Sequence, residues 1–221
     1  MTGLAKRGRR PIVHQGVELR CTRRFEDEAR LAGCASVAGV DEVGRGALCG
    51  PVVTAAVILG DDFDTDGLDD SKRLTARQRE RLAIRVRESA RCWAIGQADS
   101  DEIDRINILQ ATLVAMRRAV EGLELRPDLV LVDALVIPGV DIAQRSIIKG
   151  DAISVSIAAA SILAKVTRDS LMHELDARHP GYDLGRNMGY ACARHLEALR
   201  RMGPTPIHRR TFHGTQAWLF S

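Results

Sequence analysis

The sequence predicts an α/β fold, a mixed five-stranded sheet with helices on its faces. Short apolar runs alternate with segments of helical periodicity, and no repeat or long linker divides the 221 residues. A composition of 45% hydrophobic and 28% charged residues is that of an ordinary globular domain. The predicted strands are residues 36–43, 52–59, 91–98, 128–133 and 146–148.

The first predicted elements are a helix and two strands. Residues 24–32 have helical composition and are followed by Gly33, a residue type that commonly follows the last turn of a helix. The two apolar runs that come next are separated by the Gly50-Pro51 break and are close enough in sequence to pair as a hairpin. The acidic segment 61–70 is expected to be a solvated turn.

Capping residues and periodicity place the next two helices. Thr75 and Gln78 match a capping box, which opens a helix that runs to about Ser89. Ser100 is expected to cap a longer helix, because apolar residues then recur every three or four positions as far as Val120.

The second half of the chain adds a buried strand and two helices. Residues 129–132 are apolar without interruption, which is typical of a strand covered on both faces. The segment 153–179 is rich in alanine and predicts a helix, and 188–201 predicts another. This order of elements favours a mixed sheet.

Composition also excludes several classes of protein. The longest apolar stretches, 52–59 and 152–164, are too short or too interrupted to cross a bilayer as a helix of about 20 residues. No apolar run follows the basic N-terminus, so we expect no secretory signal and a cytoplasmic protein. The five cysteines include no C-x-x-C pair and are expected to be reduced. We expect a monomer.

The charge distribution is uneven. Residues 1–24 carry a net charge of +6, whereas the whole chain carries only +3. We therefore predict a loosely ordered basic leader, 1–21, ahead of one domain, 22–221. A second basic cluster lies at 194–210. Either segment could face phosphates, and solvated tails explain the charge equally well.

Acidic residues stand at the ends of the predicted elements. Asp41 and Glu42 follow an apolar run, Asp133 ends the buried strand, and Asp151 opens the alanine-rich helix. Each of these acidic residues, taken alone, has a simpler interpretation as a residue of a turn or as a helix N-cap. Together they could converge at one edge of the sheet as an oxygen-only site, the kind that selects Mg²⁺ or Mn²⁺ and serves phosphoryl chemistry.

Four motifs, in this order, resemble bacterial ribonuclease HII, the type 2 ribonuclease H. The resemblance covers residues 22–214 approximately, and relatives with a large extra N-terminal domain, the ribonucleases HIII, are disfavoured because only about forty residues precede Asp41. The motifs are AGVDEVGRGALCGPV at 38–52, DSKRL at 70–74, KGD at 149–151 leading into SIAAASILAK at 156–165, and IHRRTF at 207–212.

The resemblance implies a ribonuclease H-like sheet with additional C-terminal helices. It also implies an endonuclease (EC 3.1.26.4) that hydrolyses the RNA strand of RNA/DNA hybrids and cuts at single ribonucleotides in duplex DNA. Two Mg²⁺ or Mn²⁺ ions would act in catalysis, and the products would carry 3′-hydroxyl and 5′-phosphate ends. Such an enzyme serves ribonucleotide excision and primer removal.

The family's functional residues transfer to matching positions. Those implied to hold the two ions are Asp41, Glu42, Asp133 and Asp151. Those implied to contact the substrate are Gly44, Arg45 and Gly46 at the ribose 2′-hydroxyl, Tyr190 at the sugar on the 3′ side, and Lys72, Arg209 and Arg210 at backbone phosphates. Tyr182 is the rival aromatic residue, and its context fits a turn better.

The chain departs from the family pattern at a few positions. Met188 stands where lysine is common, Ala191-Cys192 where proline or glycine followed by threonine is usual, and Cys49 replaces an alanine. The departures at 188 and 191–192 bear most on recognition of the RNA-to-DNA junction, whereas the small change in volume at Cys49 is expected to affect packing alone. A Mg²⁺-dependent phosphatase or strand-transfer enzyme, and a catalytically silent duplex-binding protein, are the alternative functions. A silent binder has no use for acids beside phosphates, because they repel each other.

Overall fold

The structure, a computed structural model, describes residues 13–14, 17–18 and 21–219. Two short strands, β1 (Val13–His14) and β2 (Val17–Glu18), pair antiparallel. The other residues of the predicted basic leader, 1–21, lie outside the described part of the chain, apart from Cys21. Within the described part of the chain, no helix combines the length and apolarity needed to cross a membrane.

The central sheet is mixed and has five strands, as predicted. Its order is β5-β4-β3-β6-β7, in which β4 is antiparallel to both β3 and β5, and β6 is parallel to both β3 and β7. The strands are β3 (Val37–Val43), β4 (Val52–Ile58), β5 (Cys92–Ala98), β6 (Leu129–Asp133) and β7 (Ala143–Ile147).

Helices cover both faces of this sheet. On one face α4 and α2 pack against Ala55 and Val57 of β4, and on the other α3 packs against Ala56 and Ile58. The helices are α1 (Arg24–Leu31), α2 (Ala76–Ser89), α3 (Ser100–Glu121), a 3-10 helix (Gly150–Ala152), α4 (Val155–Arg178), α5 (Leu184–Asn187), α6 (Ala193–Met202) and α7 (His213–Leu219).

Several predicted helix boundaries are confirmed and others are wrong. The capping box of Thr75 is present at the start of α2. The caps of α3 and α4 are Asp99 and Ser154 rather than Ser100 and Asp151, which lies instead in the 3-10 helix. Asn107, at φ 65°, also kinks α3.

The predicted helix 188–201 is wrong over its first residues. Met188 and Gly189 have φ angles of 51° and 78°, which a right-handed helix excludes. The chain therefore turns between α5 and α6, and Tyr190 pairs in an isolated β-bridge with Ala47. This turn brings Tyr190 to the loop that follows β3.

Close approach between β3 and α4 requires a glycine. A Cβ atom on Gly39 would lie 2.1 Å from the backbone carbon of Ser156, well inside van der Waals contact. The hydroxyl of Ser154 and the amide of Ser156 both donate to the buried carboxylate of Glu26, which fixes the start of α4 against α1. The sheet and α4 are thus held together without an intervening side chain.

A pair of buried histidines anchors the Tyr190 turn. The backbone N–H of Thr205 donates to His208 Nδ1 at 3.0 Å, so His208 carries its proton on Nε2 and donates it to His195 Nε2 at 3.1 Å. His195 Nδ1 then donates to the carbonyl of Tyr190 at 3.1 Å. Burial lowers the pKa of both imidazoles, and His195 helps to lower that of His208 to about 4.

We expect Gly39→Ala to lower the free energy of unfolding by about 3 kcal/mol, at the upper end of overpacking effects, because β3 must move away from α4. Urea unfolding followed by circular dichroism measures this change. Gly46→Ala is the matched control, because an added Cβ there would meet nothing nearer than 3.9 Å. Equal stability of the two variants would contradict the close packing.

The histidine pair predicts a pH dependence of stability. An unfolded histidine titrates near pH 6.5, whereas folded His208 has a pKa of about 4. Between these two values the unfolded chain binds a proton that folded His208 does not bind, so the free energy of unfolding falls as the pH falls. Buried carboxylates titrate as well, so the informative quantity is the difference between wild type and His208→Gln. We expect a shallower acid-side loss of unfolding free energy in the variant; parallel curves would argue against a neutral His208.

Candidate active site

Two strands and a short helix bring three aspartates to one end of the sheet. Asp41 lies on β3, Asp133 ends β6, and Asp151 lies in the 3-10 helix. The last register pair between the parallel strands immediately precedes Asp41 and Asp133, which places these two side by side. The N–H of Gly150 donates to Asp133 Oδ1 at 2.8 Å and so ties the 3-10 helix to the end of β6.

Asp41, Glu42 and Asp133 line one cleft of about 430 Å³. Neighbouring residues of a regular strand face opposite sides of its sheet. Here β3 extends past its pairing with β6 while it remains paired with β4, so this end of the strand has no neighbour on the β6 side. Asp151 is not among the lining residues of the cleft, but it meets Lys72 of the cleft wall through a 3.0 Å ion pair.

The carboxylates repel one another in partly desolvated surroundings. Burial first, and then the charges of Glu42 and Asp133, raise the pKa of Asp41 well above its usual value. Burial also raises the pKa of Glu42, against the opposing effect of Arg45 at 3.2 Å. The pKa of Asp133 is raised by burial too, although its hydrogen bond from Gly150 opposes the shift.

This group of oxygens fits divalent cations. Glu42 Oε2 is buried and has no hydrogen-bond partner among the described residues. Lys72 supplies positive charge at 3.0 Å from Asp151 and 3.8 Å from Asp70. Although burial acts in the opposite direction, the hydrogen bond to Asp151 raises the pKa of Lys72 to about 12. Carboxylate oxygens in excess over the cations that face them are the donor set of a Mg²⁺ or Mn²⁺ site.

A glycine-bounded loop, Gly44–Gly46, follows Glu42 and forms the adjoining wall of the cleft. Gly44, at φ 92°, packs so closely on Arg168 that a Cβ atom would lie 2.1 Å from its Nε. Gly46 is open instead, and its nearest neighbour in the direction of a Cβ would be the ring of Tyr190 at 3.9 Å. Tyr190 is 38% exposed and lines the same cleft. The loop and the tyrosine therefore face one another across a gap.

The predicted phosphate contact of Arg209 needs correction. Its side chain is fully buried, and its guanidinium donates to the carbonyls of Arg45 at 2.9 Å and Gly50 at 2.8 Å. A buried guanidinium that holds backbone carbonyls supports the loop and does not reach a phosphate. Arg210 is exposed and forms ion pairs with Asp101 at 3.0 Å and Asp104 at 3.6 Å.

Sequence reasoning missed polar residues of the cleft that α2 and α4 supply. Ser161 hydrogen-bonds to Asp41 and lies 3.0 Å from Ser71. Lys165 follows one helical turn later and also lines the cleft, as does Arg79 of α2. The spacing of Ser161 and Lys165 within the apolar helix was the available signal, because four residues place both on one face.

Two departures from the family pattern have packing roles. Met188 packs with partly buried apolar residues around the cluster that contains Met172 and Tyr182. Cys49 is buried, and its thiol lies close to the two histidine rings. The nitrogens of His195 and His208 already hydrogen-bond to each other and to the backbone, so these three residues are a packed polar cluster. Tyr182 is buried and donates to the carbonyl of Gly203, in agreement with a structural role.

Comparison with known proteins gives one consistent result. A family model for ribonuclease HII matches residues 38–215. Ribonuclease HII of Desulfitobacterium hafniense (strain Y51) is 54% identical over 196 residues, which cover 89% of this chain and 75% of that protein. The crystal structure of ribonuclease H2 from Pyrococcus horikoshii OT3 superimposes with a TM-score of 0.68 at 29% identity, covering 82% of this chain and 96% of that one.

A third comparison concerns the fold alone. Bst-RNase HIII, in a crystal structure of its complex with Mn²⁺, matches with a TM-score of 0.64 at 22% identity, covering 87% of this chain and 71% of that one. The sheet order, the acids at its open end and the sequence matches agree with one another. The chain therefore belongs to the ribonuclease HII family and is a type 2 ribonuclease H.

Proposed function

We propose that this ribonuclease H uses two divalent ions to cut the RNA strand of RNA/DNA hybrids, and that it also cuts at a single ribonucleotide in duplex DNA. The observation that carries the proposal is the position of the acidic cleft directly beside the Gly44–Gly46 loop and Tyr190. Groups suited to chemistry and groups suited to reading a sugar then face the same nucleotide. The products would carry 3′-hydroxyl and 5′-phosphate ends.

The ion-binding residues in this proposal are Asp41, Glu42, Asp133 and Asp151. When bound, two Mg²⁺ or Mn²⁺ ions activate a water and stabilise the leaving oxygen. The Mn²⁺ complex of Bst-RNase HIII supports a divalent ion in a protein of this fold. The protein itself holds the carboxylates in place, through the amide of Gly150 on Asp133 and the hydroxyl of Ser161 on Asp41.

Discrimination of ribose from deoxyribose is assigned to the loop backbone. A trans peptide directs its C=O and N–H in opposite directions. Because the carbonyl of Arg45 points to buried Arg209, the N–H of Gly46 points away from it, towards the cleft. That N–H can hydrogen-bond to a 2′-hydroxyl, the group that distinguishes RNA from DNA. Tyr190 would pack on the next sugar, where a deoxyribose marks the junction.

The remaining contacts complete the proposal. Lys72 and exposed Arg210 would approach backbone phosphates, with Arg45 beside the ribose. All four acids come from one chain, so the protein can act as a monomer on hybrid or ribonucleotide-containing duplexes. The basic leader, 1–21, would add sequence-independent attraction to the nucleic acid.

We expect Asp133→Asn to fold normally, because its amide oxygen can still accept from Gly150, and to lose at least about 100-fold in cleavage rate through loss of charge at the scissile phosphate. The assay uses labelled DNA duplex with one ribonucleotide, in Mg²⁺, Mn²⁺ or EDTA, with all-DNA and all-RNA duplexes beside it. Asp62→Asn, at an exposed position, is the control. Near-wild-type cleavage by Asp133→Asn would remove Asp133 from the site.

We expect Gly46→Ala to keep its fold and to cut a single-ribonucleotide duplex at least about tenfold more slowly, because the methyl group covers the N–H that would meet the 2′-hydroxyl. Gly44→Ala is the matched variant, and its thermal midpoint should fall because a Cβ there collides with Arg168 at a positive φ. Measurement of kcat/KM and melting temperature separates the two effects. Wild-type kcat/KM in Gly46→Ala would show that this backbone does not read the ribose.

A further inference from the structure

Arg168 of α4 is a fully buried arginine that lies beneath both walls of the substrate cleft. Its Nε donates to the carbonyl of Pro51 at 2.9 Å and its Nη2 to that of Cys49 at 3.3 Å, both in the segment that follows the glycine loop. Its Nη1 donates to the carbonyl of Met188 at 2.9 Å, in the turn that carries Tyr190. One guanidinium therefore joins two segments that are distant in sequence.

The same side chain contacts the functional groups themselves. Its guanidinium carbon lies 5.6 Å from the ring centre of Tyr190, within cation–π distance. Its Nε stands where a Cβ of Gly44 would be, so this glycine rests directly on the arginine. The loop and Tyr190 thus share one support on the side away from the substrate.

Only an arginine can make this arrangement. A planar guanidinium holds up to five donors in fixed directions, whereas a lysine places three donors on one atom at the end of a flexible stem. The guanidinium of Arg168 donates to three backbone carbonyls from two segments, each through a different nitrogen of the planar fork. A lysine at this position could satisfy some of them but could not span both segments with the same geometry.

We propose that Arg168 is a positioning residue that couples the glycine loop to Tyr190, so that recognition of the RNA-to-DNA junction depends on it. The inference rests on the proposed function of Tyr190. In the absence of the guanidinium fork, the loop would still present its backbone to the ribose. The distance between the loop and the tyrosine ring, which must match adjacent sugars of the substrate, would no longer be fixed.

Arg209 provides a matched control within the chain. It is equally buried and also donates to loop carbonyls, those of Arg45 and Gly50. Its ring contact is with Phe212, at 5.0 Å, rather than with Tyr190. Arg209→Lys should therefore loosen the loop alone, whereas Arg168→Lys should loosen the connection between the loop and Tyr190.

The first measurement uses the free protein and no substrate. Hydrogen exchange followed by NMR reports on two amides. The N–H of Leu48 donates to the carbonyl of Gly189 and so joins the loop segment to the turn, and the N–H of Tyr190 donates to the carbonyl of Asn187 within the turn. We expect Arg168→Lys to speed exchange at both amides by at least about tenfold, and Arg209→Lys to leave Tyr190 unchanged. Wild-type exchange at Tyr190 in Arg168→Lys would overturn the coupling, whatever the activity.

The second measurement compares kcat and KM on a single-ribonucleotide duplex and on a long RNA/DNA hybrid. We expect Arg168→Lys to lose at least about tenfold more kcat/KM on the first substrate than on the second, and Arg209→Lys to lose equally on both. In a Tyr190→Ala background, Arg168→Lys should cause no further loss of this preference. If Tyr190→Ala abolishes the preference for the single-ribonucleotide duplex and Arg168→Lys retains it, Arg168 does not couple the loop to Tyr190.

Tyr190→Ala tests separately whether Tyr190 senses the RNA-to-DNA junction. If Tyr190→Ala itself leaves the preference intact, the tyrosine does not sense the junction, and the amide exchange alone decides whether Arg168 couples the two walls. Arg168→Gln, which keeps two amide donors and removes the charge, serves if the lysine variant does not fold. It must show the same faster exchange at Tyr190, or the coupling is rejected.

Discussion

The site depends on the pairing of β3 with its parallel neighbour β6 while β3 lies pressed against α4. This pairing sets Asp41 beside Asp133, and the contact at Gly39 leaves no room for a side chain between the strand and the helix. The hydroxyl of Ser161 on α4 can then reach Asp41. Close packing of a strand on a helix is therefore what fixes the carboxylates.

The carboxylates act against the stability of the fold that holds them. They raise one another's pKa values in a partly buried cleft, and Glu42 keeps one buried oxygen without a partner among the described residues. A fold selected for stability alone would replace such a group with apolar side chains. A divalent cation held by these carboxylates would offset their mutual repulsion, because each negative charge attracts it.

Much of the fold was predictable, because hydrophobic runs and local caps determine it. Strands β3 to β6 and the capping box of Thr75 follow from patterns that act over a few residues. The last strand, predicted at 146–148, begins three residues earlier, because the polar residues that open it are held by pairing with β6 and not by an apolar run. The Tyr190 turn was not predictable, because its left-handed residues include Met188, a type that rarely adopts that conformation. The role of Arg209 was missed for another reason: a basic residue in a motif looks the same in sequence whether it faces solvent or the interior.

The four acids were singled out by their places at the ends of predicted elements, and the family resemblance added their roles and the glycine loop. The structure brings three of the acids into one cleft and joins Asp151 to it through Lys72. Family membership decides against the phosphatase and strand-transfer alternatives, which would reuse only the acids, and against a silent duplex-binding protein, which has no use for them. The helix residues Ser161, Lys165 and Arg79 entered the site only once the packing of α2 and α4 on the sheet was known.

The inward direction of the Arg45 carbonyl has a consequence for how selectivity can change. Since this carbonyl points to the buried guanidinium of Arg209, the N–H of Gly46, on the opposite side of the same peptide, is oriented by the interior of the protein. Side chains on the cleft surface can then vary without altering what the backbone offers to a sugar. Variants with a new preference for sugars should be sought among the buried residues beneath the loop, which a library restricted to solvent-exposed positions would omit.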